Sequence, residues 1–110
     1  MTLLRGHLYW AKMPGDKRRP VVVLSPNVRN ELAHDVIVAP LTTTLRSSVT
    51  HVRLRVKEGG ARATSVVACE RITTLEKDIL HPVPLGGSLS AERMSEIARA
   101  VLRSIGVPID

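Results

Sequence analysis

The spacing of hydrophobic residues changes once along this chain of 110 residues, from a strand-like to a helix-like period. Between positions 8 and 75, short β-branched runs alternate with turn residues, a pattern typical of β-strands. From position 91 to 105 the apolar residues instead recur on a single helical stripe. The chain is therefore predicted to be mainly β, with five or six antiparallel strands in a strongly curved sheet or partly open barrel, closed by one C-terminal helix.

The strand predictions differ in how much of each strand should be buried. Strands are predicted at residues 8–12, 20–24, 36–41 and 52–56, with a longer, bent strand at 65–74. The run Val21-Val22-Val23-Leu24 is apolar throughout, so we expect a strand buried on both faces at the centre of the sheet. In contrast, Val52-Arg53-Leu54-Arg55-Val56 alternates, which predicts one face in water.

The C-terminal helix carries boundary signals at both ends. Ser90 is a suitable N-cap, because its side-chain oxygen can accept a bond from a first-turn N–H. Leu89 and Met94 have the spacing of a hydrophobic staple. Gly106 followed by Pro108 predicts the end of the helix.

Length and composition favour one folded domain covering residues 1–110. The chain is 44% hydrophobic and 24% charged, close to the average for folded proteins. Its longest apolar stretch, 36–41, is far below the roughly 18 residues that a membrane span needs, and its start does not resemble a signal peptide. Cys69 is the single cysteine, so no intrachain disulfide can form. We expect a cytoplasmic protein without a membrane segment.

The charge balance favours a polyanionic partner. Sixteen basic against ten acidic residues give a net charge of +6. Twelve of the basic residues are arginines, whose planar fork suits phosphate. A GC-rich genome that encodes arginine in place of lysine would produce the same bias. Charge alone therefore indicates a class of partner.

Common catalytic sets are missing from the sequence. Its four histidines are scattered, and no cluster has the spacing of metal ligands, so neither a metal nor another cofactor is expected. The glycine pairs at 59–60 and 86–87 suit turns, not a phosphate-cradling loop. Tyr9 and Trp10 are the only aromatic residues and should face opposite sides of a strand. At most one of them can then line a nucleic-acid groove; the alternative is that both are structural.

Five motifs in order carry a resemblance to a known family. They are Arg5-Gly6 before Tyr9-Trp10; Arg19-Pro20-Val21-Val22-Val23-Leu24-Ser25-Pro26 with Asn30 after it; Val38-Ala39-Pro40-Leu41-Thr42-Thr43; His51-Val52; and Ser65-Val66-Val67-Ala68-Cys69-Glu70 with Thr74-Leu75. Over nearly its whole length the chain resembles the MazF/PemK toxins. The resemblance implies a homodimeric, SH3-like barrel of the CcdB/PemK/MazF type that cuts single-stranded RNA without metal and is silenced by an antitoxin.

The resemblance assigns two catalytic residues. Arg19 matches the family's catalytic arginine before Pro-Val, and Thr42 matches its catalytic threonine. Metal-free cleavage uses the RNA's own 2′-OH as nucleophile, so the protein must hold an in-line geometry and stabilise the extra charge at phosphorus. Arg19 is expected to stabilise that charge and Thr42 to donate to a phosphate oxygen. The expected products are a 2′,3′-cyclic phosphate and a 5′-hydroxyl, and DNA should remain uncut.

The residue that would act as general base does not match the family pattern. Many family members have a Glu five residues ahead of the arginine, where this chain has Pro14. The nearest acid, Asp16, is our candidate base; a turn-forming Asp is the alternative. Further candidates for RNA binding are Arg18, Thr43, Arg46, His51, Arg53 and Glu70. Their alternatives are a solvated face for the arginines, a structural histidine, and a structural salt bridge for Glu70.

Two functions of other classes remain open at this point. CcdB toxins, which poison gyrase without being enzymes, resemble this family in architecture but lack its catalytic Arg and Thr. An RNA-binding module that has lost cleavage is the other alternative. The apolar helix and thin monomer core predict a symmetric homodimer. The basic excess and the resemblance together predict an antitoxin whose acidic, partly disordered segment folds onto the groove near Arg19.

Overall fold

The computed structural model describes residues 2–13, 15 and 17–109 of the chain. Its strands are β1 (Leu8–Lys12), β2 (Arg18–Val23), β3 (Asp35–Thr42), β4 (His51–Leu54), β5 (Ser65–Ala68) and β6 (Thr73–Glu76). Its α-helices are α1 (Asn27–Leu32) and α2 (Ala91–Ser104), and short 3-10 turns occupy Glu58–Gly60, Cys69–Arg71 and Lys77–Ile79.

Strand β3 organises the sheet. The strand order is β1-β2-β3-β5-β4, and β6 pairs with the N-terminal half of β3. Every recorded strand pair is antiparallel, and the sheet does not close. Because β3 is eight residues long, it holds β2 on one side and both β5 and β6 on the other. The predicted mainly β architecture with a C-terminal helix is confirmed.

The valines of β2 are buried on both faces of the sheet, as predicted. Val22 packs in one cluster with Leu8, Leu54 and Ile97 of α2. Its neighbours Val21 and Val23 pack in a second cluster, on the other side. Alternate residues of a strand face opposite ways, so this one short run contributes to both cores.

The segment 65–74 is not one bent strand, which corrects our prediction. Strand β5 ends at Ala68, the turn Cys69–Arg71 follows, and β6 begins at Thr73. The physical reason is pairing, since β5 lies against the C-terminal end of β3 whereas β6 lies against its N-terminal half. Similarly, β4 ends at Leu54, so the alternating pattern overextended it to Val56, which is 50% exposed.

Helix α1 follows β2 where the sequence indicated only a break at Pro26-Asn27. Its buried Asn30 donates from Nδ2 to the carbonyl oxygens of Leu3 (3.1 Å) and Ser25 (2.9 Å). Ser25 Oγ in turn accepts from the backbone N–H of Ile37 at 3.0 Å. Ser25 and Asn30 therefore connect the N-terminal segment at Leu3 to the start of β3.

Helix α2 has the predicted ends. Ser90 Oγ accepts from the backbone N–H of Arg93 at 3.1 Å. At the other end Gly106 has φ +90, and the N–H of Val107 donates to the carbonyl of Leu102 at 2.9 Å, as in a Schellman motif. No helix in the described residues is long and apolar enough to cross a membrane.

The apolar stripe of α2 is only partly buried by the rest of this chain. Met94 and Ile97 reach the core, whereas Leu102 is 36% and Ile105 67% exposed. A groove of about 340 Å³ runs beside the helix. This apolar groove is lined chiefly by Leu24, Ile37, Ile72, Met94, Ile97, Ala98, Val101 and Leu102.

The segment after β6 covers the outer edge of β1. The N–H groups of His81 and Leu85 donate to the carbonyls of Trp10 and Leu8, each at 2.8 Å. Gly60 meets this segment so closely that a Cβ there would lie 2.4 Å from the carbonyl carbon of Leu85. We call residues 80–89 the edge segment.

Candidate active site

Arg19 and Thr42 lie on neighbouring strands, β2 and β3. The recorded register pairs Val21 with Pro40, and the same register continued by two residues places Arg19 opposite Thr42. Residues directly opposite each other in an antiparallel pair point to the same face. Both side chains are half-buried and line the same two hollows.

The hydroxyl of Thr42 is oriented by its own loop. Its Oγ1 accepts from the backbone N–H of Thr44 at 3.1 Å. A hydroxyl has one donor and two acceptor positions, so this bond fixes the oxygen while the hydroxyl hydrogen remains available. Thr42 can therefore donate to a group bound beside it.

The guanidinium of Arg19 makes no ion pair with any described residue, unlike Arg29 and Arg93, which pair with Asp35 and Glu58. Its five N–H donors can then serve a bound anion. A fork of donors at a half-buried position suits a phosphate, because partial burial strengthens the attraction between the charges.

The first hollow beside this pair has a volume of about 240 Å³ and contains a carboxylate. We call it the carboxylate hollow. It is lined by Arg19, Pro40, Leu41, Thr42, Thr44, Arg46, His51, Ala68, Glu70 and Arg71. The fold thus brings three of the proposed RNA-binding residues, Arg46, His51 and Glu70, together with the proposed catalytic pair.

Each carboxylate oxygen of Glu70 accepts a hydrogen bond from a neighbouring side chain. His51 donates from Nε2 to Oε2 at 3.1 Å, and Thr50 donates from Oγ1 to Oε1 at 3.0 Å. Partial burial raises the pKa of Glu70, but the bonds from His51 and Thr50 outweigh it and leave the pKa below its usual value. The carboxylate is therefore ionised at neutral pH.

His51 acts here as a donor to Glu70. Its Nδ1 is buried and has no hydrogen-bond partner among the described residues. A hydrogen on Nε2 serves Glu70, whereas a hydrogen on Nδ1 would be buried without an acceptor, which costs free energy. This hydrogen bond links strand β4 to the Cys69–Arg71 turn.

The second hollow, of about 280 Å³, lies on the other side of Arg19 and Thr42. We call it the tryptophan hollow. It is lined by Trp10, Arg18, Arg19, Pro20, Leu41, Thr42, Thr43, Ala61, Arg62, Ala63, Ser65 and Leu85. It holds the two remaining candidates that lie near the catalytic pair, Arg18 and Thr43.

Trp10 is the aromatic residue of this hollow. The guanidinium carbons of Arg18 and Arg62 lie 5.5 and 5.8 Å from its ring centroid, within cation–π range. Tyr9 points the other way, is 1% exposed, and accepts on its hydroxyl from the N–H of Leu4 at 2.9 Å. The prediction that they face opposite sides is confirmed.

Some residues were placed differently from our expectation, and others were missed. Arg53 is exposed and lies in a separate hollow with Arg99 and Arg103, so it does not line either hollow beside Arg19. Asp16, the candidate base, lies outside the described residues. Arg62, in the connection before β5, and Arg71, in the Cys69–Arg71 turn, were missed because no local motif marks them. Within the described ranges, no three His, Cys, Asp or Glu side chains group closely enough to hold a metal ion.

Comparison with known proteins decides the family. The model for the PemK-like, MazF-like toxins of type II toxin-antitoxin systems matches residues 4–105. The chain belongs to this family. It is 32% identical to the "Probable endoribonuclease MazF5" of Mycobacterium tuberculosis over 112 aligned positions, covering 100% of this chain and 97% of that protein.

Solved structures of family members agree with the fold. A mycobacterial endoribonuclease in complex with its cognate antitoxin superimposes with a TM-score of 0.84 at 31% identity, covering 98% of this chain and 99% of that one. The Mycobacterium tuberculosis toxin MazF-mt6 gives a TM-score of 0.82 at 29% identity, covering 94% and 99%. This MazF-like chain therefore shares its fold with these toxins over nearly their whole length.

Proposed function

We propose that this chain is the toxin of a type II toxin-antitoxin system and a sequence-specific, metal-independent endoribonuclease acting on single-stranded RNA in the cytoplasm. The observation that carries the proposal is that Arg19 of β2 and Thr42 of the neighbouring β3 together line two hollows rich in arginine. Membership of the MazF-like family and curated relatives named as endoribonucleases support it.

The proposed reaction is attack by the RNA's own 2′-oxygen on the neighbouring phosphorus. The bond from phosphorus to the 5′-oxygen breaks, leaving a 2′,3′-cyclic phosphate and a 5′-hydroxyl. Arg19 stabilises the charge that builds up on the phosphate oxygens, and the hydroxyl of Thr42 donates to one of them. The 2′-OH proton passes to a base, for which Asp16 remains the proposed group, and the departing 5′-oxygen takes a proton from water.

The two hollows support a path for RNA across the catalytic pair. Nucleotides on one side of the scissile phosphate would meet Arg46 and Glu70, and those on the other side would meet Arg18, Thr43 and the Trp10 ring. Arginines attract the phosphates and an aromatic ring offers a face to a base. Arg53 lies outside these hollows, so we assign it no direct contact at the scissile phosphate.

The partner proposed for this groove is an acidic antitoxin segment. The net charge of +6 and the arginines in both hollows favour a negatively charged chain that covers Arg19. A related endoribonuclease is known in complex with its cognate antitoxin. Such a segment would compete with RNA for the same surface.

We further propose that the chain forms a symmetric homodimer through the apolar groove. Leu102 of α2 and Ile72, both partly exposed, line this groove, and Ile105 directly after the helix is 67% exposed. An apolar stripe left open on a small domain is stabilised when a second copy covers it.

The test is to incubate the purified protein with a long RNA in EDTA, beside Arg19→Ala and Thr42→Ala, and to map both ends of every product. We expect defined cuts by the wild type, ending in cyclic phosphates, and strong loss of cleavage in both variants. The same sequence supplied as DNA should stay intact. Cuts that persist in both variants, or that require added metal, would overturn the proposal.

A further inference from the structure

Glu70 is a carboxylate in a hollow whose other charged side chains are cationic. Arg19, Arg46 and Arg71 line the carboxylate hollow with it. RNA brings a negative phosphate at each nucleotide, and phosphate is attracted by the arginines and repelled by Glu70. What Glu70 can bind on an RNA strand is therefore a neutral hydrogen-bond donor. In single-stranded RNA, base edges are open and supply such donors.

The two oxygens of Glu70 are held in place before any ligand arrives. Thr50 donates to Oε1 and His51 donates to Oε2. An ionised carboxylate has about four acceptor positions, two on each oxygen. The two side-chain bonds leave one position on each oxygen, and the backbone N–H of Glu70 also approaches the carboxylate. The side chain is 38% exposed and lines the hollow, so a ligand there can reach the carboxylate. Glu70 thus offers two acceptors side by side at a fixed spacing.

The four bases differ in how well they match two adjacent acceptors. Guanine has two neighbouring donors on its Watson–Crick edge, N1–H and the N2 amino group. Adenine and cytosine place an amino group beside a ring nitrogen that is itself an acceptor, and uracil places one N–H between two carbonyl oxygens. Against a carboxylate, each of these three bases brings an acceptor towards an acceptor, which is unfavourable.

We propose that Glu70, held by Thr50 and His51, binds the Watson–Crick edge of a guanine and makes cleavage depend on that guanine. The inference rests on the proposed endoribonuclease function and adds a base to its recognition sequence. Glu70 is then a specificity-determining residue, while Thr50 and His51 are positioning residues that act through it.

Two other roles for Glu70 lead to different measurements. A purely structural tie between β4 and the Cys69–Arg71 turn would lower activity on every RNA by the same factor when Glu70 is changed. A role as general base would do the same, because the 2′-OH is common to all RNAs. The ratio of kcat/KM between RNAs that differ in one base therefore isolates recognition from both alternatives.

The experiment first maps the cuts that the wild type makes in a long RNA and asks for a guanine at a constant distance from them. Short RNAs containing one cut site are then made with guanine, inosine or 2-aminopurine at that position. Inosine lacks the amino group, and 2-aminopurine lacks N1–H. The enzymes are the wild type, Glu70→Gln, Thr50→Val and, as a charge-matched control, Glu76→Gln, which is exposed on β6 outside the hollow. Thermal melts check that each variant is folded.

For the wild type and Glu76→Gln we expect inosine or 2-aminopurine to lower kcat/KM by about 10- to 100-fold relative to guanine. In Glu70→Gln this ratio should approach one, because the amide presents one acceptor and one donor. Thr50→Val retains the carboxylate and should give an intermediate ratio. These ratios do not depend on how much overall activity a variant retains.

Two results would overturn the inference, and they are distinguishable. If the wild type cuts RNA without a constant guanine, or if Glu70→Gln keeps the wild-type ratio, recognition by Glu70 is wrong while the endoribonuclease function stands. If the wild type cuts no RNA at all, the proposed function fails and this inference fails with it.

Discussion

The hollows beside Arg19 and the apolar groove beside α2 differ in the chemistry that they offer. The hollows present guanidinium groups, hydroxyls and one oriented carboxylate, whereas the groove presents chiefly aliphatic carbon. Hydrogen bonds and charges depend on geometry, while apolar burial depends mainly on area. The comparison teaches that reaction and assembly are separated on this small domain. Substitutions in the hollows should change rate and specificity, and substitutions in the groove should change association.

The largest effect is expected at Arg19. In Arg19→Ala, kcat/KM for RNA cleavage should fall by about 10²- to 10³-fold, because the group that stabilises charge in the transition state is lost. Gel-based initial rates measure this change, and light scattering should show an unchanged mass. The matched control is Arg99→Ala, which removes the same charge from a half-buried position on α2, outside both hollows beside Arg19. Equal loss in both variants would mean that net charge matters and not the position of Arg19.

The groove is tested by a charge placed inside it. Leu102→Glu should convert a two-chain particle into a 12.0 kDa monomer, because an unpaired carboxylate cannot be buried at an apolar interface. Light scattering at micromolar concentration measures the mass. The control Val28→Glu changes a 73% exposed residue of α1 outside the groove and should leave the mass unchanged. A wild type that is already a 12.0 kDa species would contradict the proposed dimer.

A smaller effect is expected from the ion pair of Glu58 and Arg93, which belongs to neither region. Arg93 donates to Glu58 from Nη2 at 2.8 Å and from Nε at 3.0 Å. These bonds hold the pKa of Glu58 below its usual value. The stabilisation is therefore complete above about pH 4.5 and is lost as the pH falls through the lowered folded-state pKa. Glu58→Gln should cost about 1–3 kcal/mol at pH 7.

Urea unfolding between pH 3 and pH 7 measures this contribution. The acid loss of stability should be reduced in Glu58→Gln but not abolished, since the pKa of Glu70 is also lowered. RNA specificity and particle mass at pH 7 should match the wild type. A change in guanine dependence would show that the ion pair and the carboxylate hollow are coupled.

The smallest effect concerns Cys69, which lies in the core beside Glu70. Burial, together with the negative charge of Glu70, raises the pKa of its thiol to about 12. The thiolate is the reactive form, so iodoacetamide at pH 8 should leave the native protein unmodified and should alkylate it in urea. Mass spectrometry distinguishes the two states. Rapid alkylation of the native protein would mean that the core between the hollows and the groove opens easily.

Most of the architecture was predictable because it depends on local pattern. The apolar valine run, the alternating strand and the helix with its capping residues each carry their own signal. Helix α1 and the turn at Cys69–Arg71 carry none, because they are determined by contacts distant in sequence, such as those of Asn30 with Leu3 and of β6 with β3. Tertiary contacts override local propensity at such places.

The candidate site divides in the same way. Arg19 and Thr42 were predicted from motif resemblance, and the pairing of β2 with β3 brings these residues, 23 positions apart in the chain, to the same two hollows. Other contacts in the site depend on how β4, β5 and β1 are arranged in the sheet. They are the hydrogen bonds of Glu70 with Thr50 and His51, and the cation–π contact of Arg62 with Trp10. No spacing in the sequence predicts these contacts, because the partners are 19 to 52 residues apart.

The close contact of Gly60 with the edge segment also bears on how the chain avoids aggregation. A side chain at Gly60 would clash with Leu85, and one at Gly86 would lie 2.9 Å from Gly60. Either change would lift the edge segment and uncover the backbone groups of β1 that it now satisfies. An uncovered strand edge is a template on which further chains add by β-pairing. We therefore expect a substitution at either glycine to make the first strand prone to pairing with other chains.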